Sequence, residues 1–274
     1  MIMNPITSFI KRHPQVTFWG IVWSVNFFGW FMASIYPSDL WLFLIYSVLL
    51  AGAFVTAIAD GRSGLKTYFS RIIRWRVGIK WYAVALFLPL ILRLVAFGMS
   101  IASGARLTAN FQMPELGELL FEFILVFFII GLGEEPGFRG FALPRFLANY
   151  PALTASLILG VLHGIWHLPN FLTSDIPPLA ILIIISGAIL NTWLFNNTRG
   201  SVFMAMLMHA SVNLWAQVFN PFFGEADAAR QETWLAVTYV LMAVLLVIFT
   251  GRELGRKPVT VEPAVSPDRP LMAK

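Results

Sequence analysis

The sequence predicts an all-α polytopic membrane protein, a bundle of about eight transmembrane helices with both termini cytoplasmic. Three observations lead there. The chain of 274 residues is 58% hydrophobic and only 12% charged, with mean hydropathy +0.75, whereas about a quarter of a soluble domain's residues are charged. Apolar runs of roughly 20 residues, the length that crosses a bilayer as a helix, recur along the whole chain. Lys and Arg collect in alternate connecting segments, the bias that orients membrane proteins.

The spans fall at 17–36, 40–59, 81–103, 117–147, 153–172, 178–195, 201–219 and 233–250. Lys11, Arg12 and His13 precede the first, which is too long for a signal-peptide core and has no small-residue cleavage site after it, so it is expected to be retained. With the N-terminus cytoplasmic, sixteen of the nineteen Lys and Arg fall on the cytoplasmic side. Arg106 and Arg230 fall opposite, and Arg93 lies inside the third span. The segment 60–80 carries six basic residues among Tyr68, Phe69, Ile72, Ile73 and Trp75, the pattern of an interfacial helix on anionic lipid. Residues 251–274 are Pro-rich and charged, a flexible cytoplasmic tail. So little polar sequence separates the spans that residues 1–250 form one transmembrane domain, with no room for a soluble one. The positive charge sets topology, and no nucleic-acid partner is expected.

The fourth span is overlong and carries Gly133-Glu134-Glu135-Pro136-Gly137-Phe138-Arg139-Gly140. Ionisable groups at membrane depth are costly unless paired or used. His163 and His167 lie one helical turn apart on the fifth span, and His209 and Asn213 share that spacing on the seventh. Folding a hairpin at Asn149-Tyr150-Pro151 sets Glu134 opposite His167 at one height, since the two are equidistant from the turn. Pro136 frees the carbonyl of Leu132 and kinks the chain beside the carboxylates, which is tolerated where backbone lines a wet cavity. Pro169 repeats the device after His167. His209, about 12 Å into its span, joins them in a cavity expected in the cytoplasmic half of the bilayer.

A carboxylate facing an imidazole is the equipment for activating water against a carbonyl. Glu134 is the expected general base, and His167 either shares that work or ligates a metal. Glu135 and Arg139 have the four-residue spacing of a helical salt bridge, so Arg139 is expected to hold Glu135 and leave Glu134 free. His209 and Asn213 would stabilise an oxyanion or complete a metal site with Glu134 and His167. His163 mimics zinc-protease ligand spacing, but Gly164 stands where that motif needs Glu, which leaves it a supporting, cavity-lining residue. The chain has no cysteine, so disulfides, thiolate catalysis and Cys-based metal sites are excluded. No organic cofactor is expected.

At these residues the chain resembles the CAAX prenyl endopeptidase and bacteriocin-processing (CPBP, or Abi) family of intramembrane proteases. The Glu-Glu-x-x-x-Arg motif falls on Glu134, Glu135 and Arg139. The second motif, Phe-x-x-x-His, ends on His167 with His163 in place of its Phe. The third, His-x-x-x-Asn, is His209 and Asn213. The match covers residues 116–219. The resemblance implies an eight-span endopeptidase of a bacterial inner membrane, with water activated by Glu134 and His167 in a cavity open to the cytoplasmic side, and with His209 and Asn213 assisting. It implies a membrane-embedded or lipidated peptide or protein as substrate. It is compatible with Zn2+ or another divalent metal on Glu134, His167 and His209, or with glutamate-dependent chemistry and no metal. The competing expectation is a membrane scaffold or transporter that keeps the polar cluster, although transporters commonly show internal repeats and none is visible here.

Overall fold

The structure is a computed structural model, and it describes residues 4–109, 111, 113–173 and 176–256. Most of the tail expected from 251 onward lies outside these residues. Its elements are α1 (Pro5–Arg12), α2 (Pro14–Ile35), α3 (Asp39–Ala59), α4 (Gly61–Ile72), α5 (Ile79–Ala102) and α6 (Leu116–Leu147). They continue with α7 (Ala152–Trp166), α8 (Leu168–Leu172), α9 (Ala180–Asn197), α10 (Val202–Phe222) and α11 (Glu225–Thr250). Apolar runs become helices because lipid offers backbone groups no other hydrogen-bond partner.

Among the described residues seven of these helices are long and apolar enough to cross a membrane, and α7 is a shorter apolar helix beside them. The expected span at 153–172 is therefore broken. Pro169 has no N–H for the carbonyl of Ile165, and the N–H of His167 is shared between the carbonyls of His163 and Gly164, both at 3.1 Å. The helix stops at the histidine.

The basic segments gather at one end of the bundle. Arg145 pairs with Asp60, and Arg74 donates to the carbonyl of Arg199. Arg199 returns a bond of 2.5 Å to the carbonyl of Arg76, and Arg256 reaches that of Leu147 at 2.6 Å. At the other end the chain makes an isolated antiparallel bridge between Leu107 and Phe223. There Asp227 accepts from the N–H of Arg106 at 3.0 Å.

The interfacial helix expected over 60–80 is shorter, ending at Ile72, and is docked on the bundle by Tyr68. Burial pushes the Tyr68 phenol well above its usual range, so it stays a donor, and it bonds the carbonyl of Leu49 at 2.8 Å. Large side chains such as Phe28, Phe121 and Phe249 face outward, as lipid allows. Glu134, Glu135 and Arg139 face inward and are buried.

Two glycine stripes set how closely the helices approach. Along α6, a Cβ on Gly133 would meet the Ile45 side chain 2.8 Å away, and one on Gly137 would collide with the Val48 side chain and carbonyl of α3. Along α7, a Cβ at Gly160 would lie 3.0 Å from the Ile185 Cα of α9. Small residues let membrane helices pack backbone to backbone. With those faces pressed outward, the remaining faces of α6 and α7 turn their polar residues toward each other.

Candidate active site

Pro136 cannot donate the helix bond to Leu132, and α6 answers with two wider π-helical stretches, Phe127–Gly131 and Pro136–Ala142, on either side of Leu132–Glu135. Such turns frequently mark functional positions. They also change the hairpin's register. A π turn holds more residues and advances less per residue, so Glu134 sits nearer the α6–α7 turn than α-helical counting places it. Its hydrogen-bond partner is therefore His163, with Nε2 at 3.3 Å from Glu134 Oε2. His167 is one turn further on, and its ring lies 4.9 Å from that of His163.

Glu134, His163 and His167 form one compact donor set, each offering a ligand atom within 4.8 Å of the others. The trio expected from the sequence had His209 in the place that His163 takes. His209 is drawn away by Glu135, whose Oε1 accepts from Nδ1 at 2.8 Å. The same oxygen takes Arg139 Nη1 at 3.0 Å, as the spacing of the two residues suggested. Glu135 thus anchors both a guanidinium and an imidazole. Asn213 donates to the backbone carbonyl of His209 at 3.2 Å, one turn back on α10.

Among the described residues the Nδ1 atoms of His163 and His167 are buried without a hydrogen-bond partner. A carboxylate and two imidazoles with ligand atoms this close are a donor set that zinc or a similar divalent ion accepts. Water in the same space would satisfy them as well. The residues fit either form of the chemistry.

Two cavities converge on the cluster. One, of about 340 Å³, is walled by Trp30, Trp41, Leu42 and Ile45 and reaches Glu134, His167, His209 and Asn213. The other, of about 590 Å³, shares His167, His209 and Asn213 and extends to Arg93, Asn220 and Tyr239. Their walls are the second halves of α2 and α10 and the first halves of α9 and α11, which are the helix ends remote from the basic loops. These two cavities and the basic loops thus lie toward opposite ends of the bundle.

Residues 116–215 match the family model described as Type II CAAX prenyl endopeptidase Rce1-like. Over 241 residues the chain is 23% identical to CAAX prenyl protease 2 of Methanococcus maripaludis, an alignment that covers 82% of this chain and 83% of that protein. Over the matched segment the chain is similar to the Rce1-like CAAX prenyl endopeptidases. All seven residues of the polar cluster, from Glu134 to Asn213, lie inside that segment. Arg93 and the α2–α3 wall, which shape the two cavities, lie outside it. The sequence left the role of His163 open and offered Glu115, Glu118 and Glu122 as partners for Arg93, whereas the guanidinium bonds Asn220 Oδ1 at 2.9 Å.

Proposed function

We propose that this chain is an intramembrane endopeptidase in which Glu134, seated against His163 and His167, takes the proton of a water attacking a peptide carbonyl. The observation that carries the reading is a buried carboxylate, hydrogen-bonded to His163 and lining one cavity, beside His167, which lines both. Glu134 is the general base, and His167 shares orientation of the water. His209 keeps Nδ1–H on Glu135, so that when it also carries a proton on Nε2 it can stabilise the oxygen of the tetrahedral intermediate. Asn213 stands beside it as a second polar group. Glu135 and Arg139 fix these groups without touching substrate.

A divalent metal, where present, would be held by Glu134, His163 and His167 and would make water more acidic. His163 replaces His209 from the earlier expectation because its ring is the one within reach. The relative's name includes a prenyl substrate. An apolar cavity lined by Trp30, Trp41 and Leu42 suits a lipid chain or apolar side chains, so a lipidated or membrane-embedded peptide is the substrate class. The site of action is a bacterial cytoplasmic membrane.

Comparing membrane-protein termini between cells with the wild-type chain and cells with Glu134→Gln tests the activity. Glu134→Gln or His167→Ala should remove a cleaved terminus at unchanged expression, a loss of at least about 10²-fold in rate. Cleavage that persists in both variants overturns the assignment and favours the scaffold. Elemental analysis of purified protein addresses the metal. A stoichiometric divalent ion lost in His163→Ala supports ligation, and wild-type protein that stays active and metal-free after chelation supports the metal-free form.

A further inference from the structure

A separate cavity lies at the basic end of the bundle, where the chain entering α5 meets the turn between α9 and α10. It measures about 570 Å³ and is lined by Ser70, Ile73, Arg74, Trp75, Arg76 and Arg199. Residues 74–78 form no helix, and neighbouring side chains hold their carbonyls instead. Ser201 Oγ donates to the carbonyl of Arg74 at 2.5 Å, Tyr82 Oη to that of Trp75 at 2.6 Å, and Arg199 Nη2 to that of Arg76. Arg74 in turn donates to the carbonyl of Arg199 and to Ser70 Oγ. Arg199 has φ 58°, in the left-handed region that arginine seldom enters. The segment is thus a built loop, tied to the α9–α10 turn in both directions.

The loop gathers positive charge without its counterpart. Among the described residues, Arg74, Arg76 and Arg199 make no ion pair with a carboxylate. Asp60 and Glu253, at the same end of the bundle, are taken by Arg145 and Arg256. The guanidinium of Arg76 lies 5.0 Å from the Trp75 ring centroid, and the other two bond carbonyl and hydroxyl oxygens, none of which neutralises a charge. Guanidinium forks around one cavity suit a phosphate, which they bind through paired N–H donors. The rim indicates which phosphate. Ile73, Trp75 and Ile79 flank the arginines and are 71%, 53% and 83% exposed, an apolar surface that acyl chains would cover. The charge bias predicts the cytoplasmic side for this end, and the cytoplasmic leaflet carries anionic lipid. We propose that this cavity binds the headgroup phosphate of an anionic phospholipid through Arg74, Arg76 and Arg199, with Ile73 and Trp75 against its acyl chains. It is a discrete site beyond the end of α4, unlike a helix lying broadly on lipid. The bound headgroup bridges the α4–α5 connection and the turn that starts α10, the helix carrying His209.

Binding is read from thermal unfolding of the purified full chain in a neutral detergent, titrated with phosphatidylglycerol or with phosphatidylcholine of the same acyl chains. Phosphatidylglycerol should raise the unfolding temperature at a concentration at least about 10-fold lower, since each arginine at an anionic surface contributes about a factor of five. Arg76 is exposed and stacks on Trp75, so Arg76→Gln removes a ligand while leaving in place the side-chain bonds that hold the loop. It should raise the phosphatidylglycerol concentration required about five-fold and leave the phosphatidylcholine response unchanged. Arg12→Gln removes the same charge from an exposed position on α1 and should change neither response. Equal responses to the two lipids overturn the assignment. So does an equal loss in Arg12→Gln and Arg76→Gln, which would mean diffuse surface charge and no site. Inorganic phosphate and glycerol phosphate are the soluble sources, and a matching shift from either at the lipid's concentration overturns the assignment to lipid. No bond is cut in this measurement, so its outcome is independent of the peptidase reading.

Discussion

One carboxylate oxygen carries much of the site's order. Glu135 is 1% exposed, and its Oε1 is shared by Arg139 and His209. Removing the charge strands a guanidinium that is itself buried. Breaking such a pair from one side costs about 3–5 kcal/mol, whereas an exposed pair contributes about 0–1 kcal/mol. Glu135→Gln should therefore lower the thermal unfolding temperature in detergent far more than Asp60→Asn, which loosens only the peripheral Arg145 pair. Equal shifts would mean that the buried pair is not the restraint it looks to be. Half of this arrangement was legible in the sequence, because Glu135 and Arg139 stand one helical turn apart. The claim of His209 on the same oxygen was not. It joins residues 74 apart in the chain, and only the packing of α10 on α6 decides it. Arg93 was visible as an anomaly, but its bond to Asn220, 127 residues on, depends on how α10 packs against α5.

At the scale of the element, α6 shows how local backbone chemistry overrode a correct long-range idea. The hairpin at 149–151 was readable, and it does bring α6 and α7 together. Counting from that turn assumed a uniform α-helical rise, and Pro136 breaks the assumption by forcing wider turns. The carboxylate consequently meets His163 as well as His167. The glycines on the opposite face hold the geometry in place. A methyl at Gly137 would run into the backbone of α3 at Val48, which cannot step aside as a flexible side chain does. Overpacking of this kind typically costs about 1–3 kcal/mol. Gly137→Ala should lower the unfolding temperature and impair cleavage together, because moving α6 off α3 displaces Glu134. Gly98→Ala is the matched control on α5, where an added Cβ meets nothing within 4 Å, and it should be neutral or slightly stabilising through helix propensity. Comparable losses in both would show that helix approach does not limit the site.

For the molecule as a whole, the number and order of spans were largely legible, since runs of apolar residues have one structural outcome in lipid. The direction in which the cavity opens was not, because it follows from the splay of helix ends rather than from any single segment. The basic loops occupy one end of the bundle, and the walls of both cavities come from the helix ends at the other. The Lys and Arg bias places the basic end in the cytoplasm. Taken together, the charge bias and the cavity walls predict a site mouth on the extracytoplasmic side. The absence of native cysteine makes this measurable on the full chain. Single cysteines at Ala229, exposed and lining the Arg93 cavity, and at Ser63, exposed on α4, report the two ends. A membrane-impermeant maleimide applied to intact cells should label Ala229→Cys directly and Ser63→Cys only after permeabilisation. The reverse pattern would turn the bundle over and open the site to the cytoplasm.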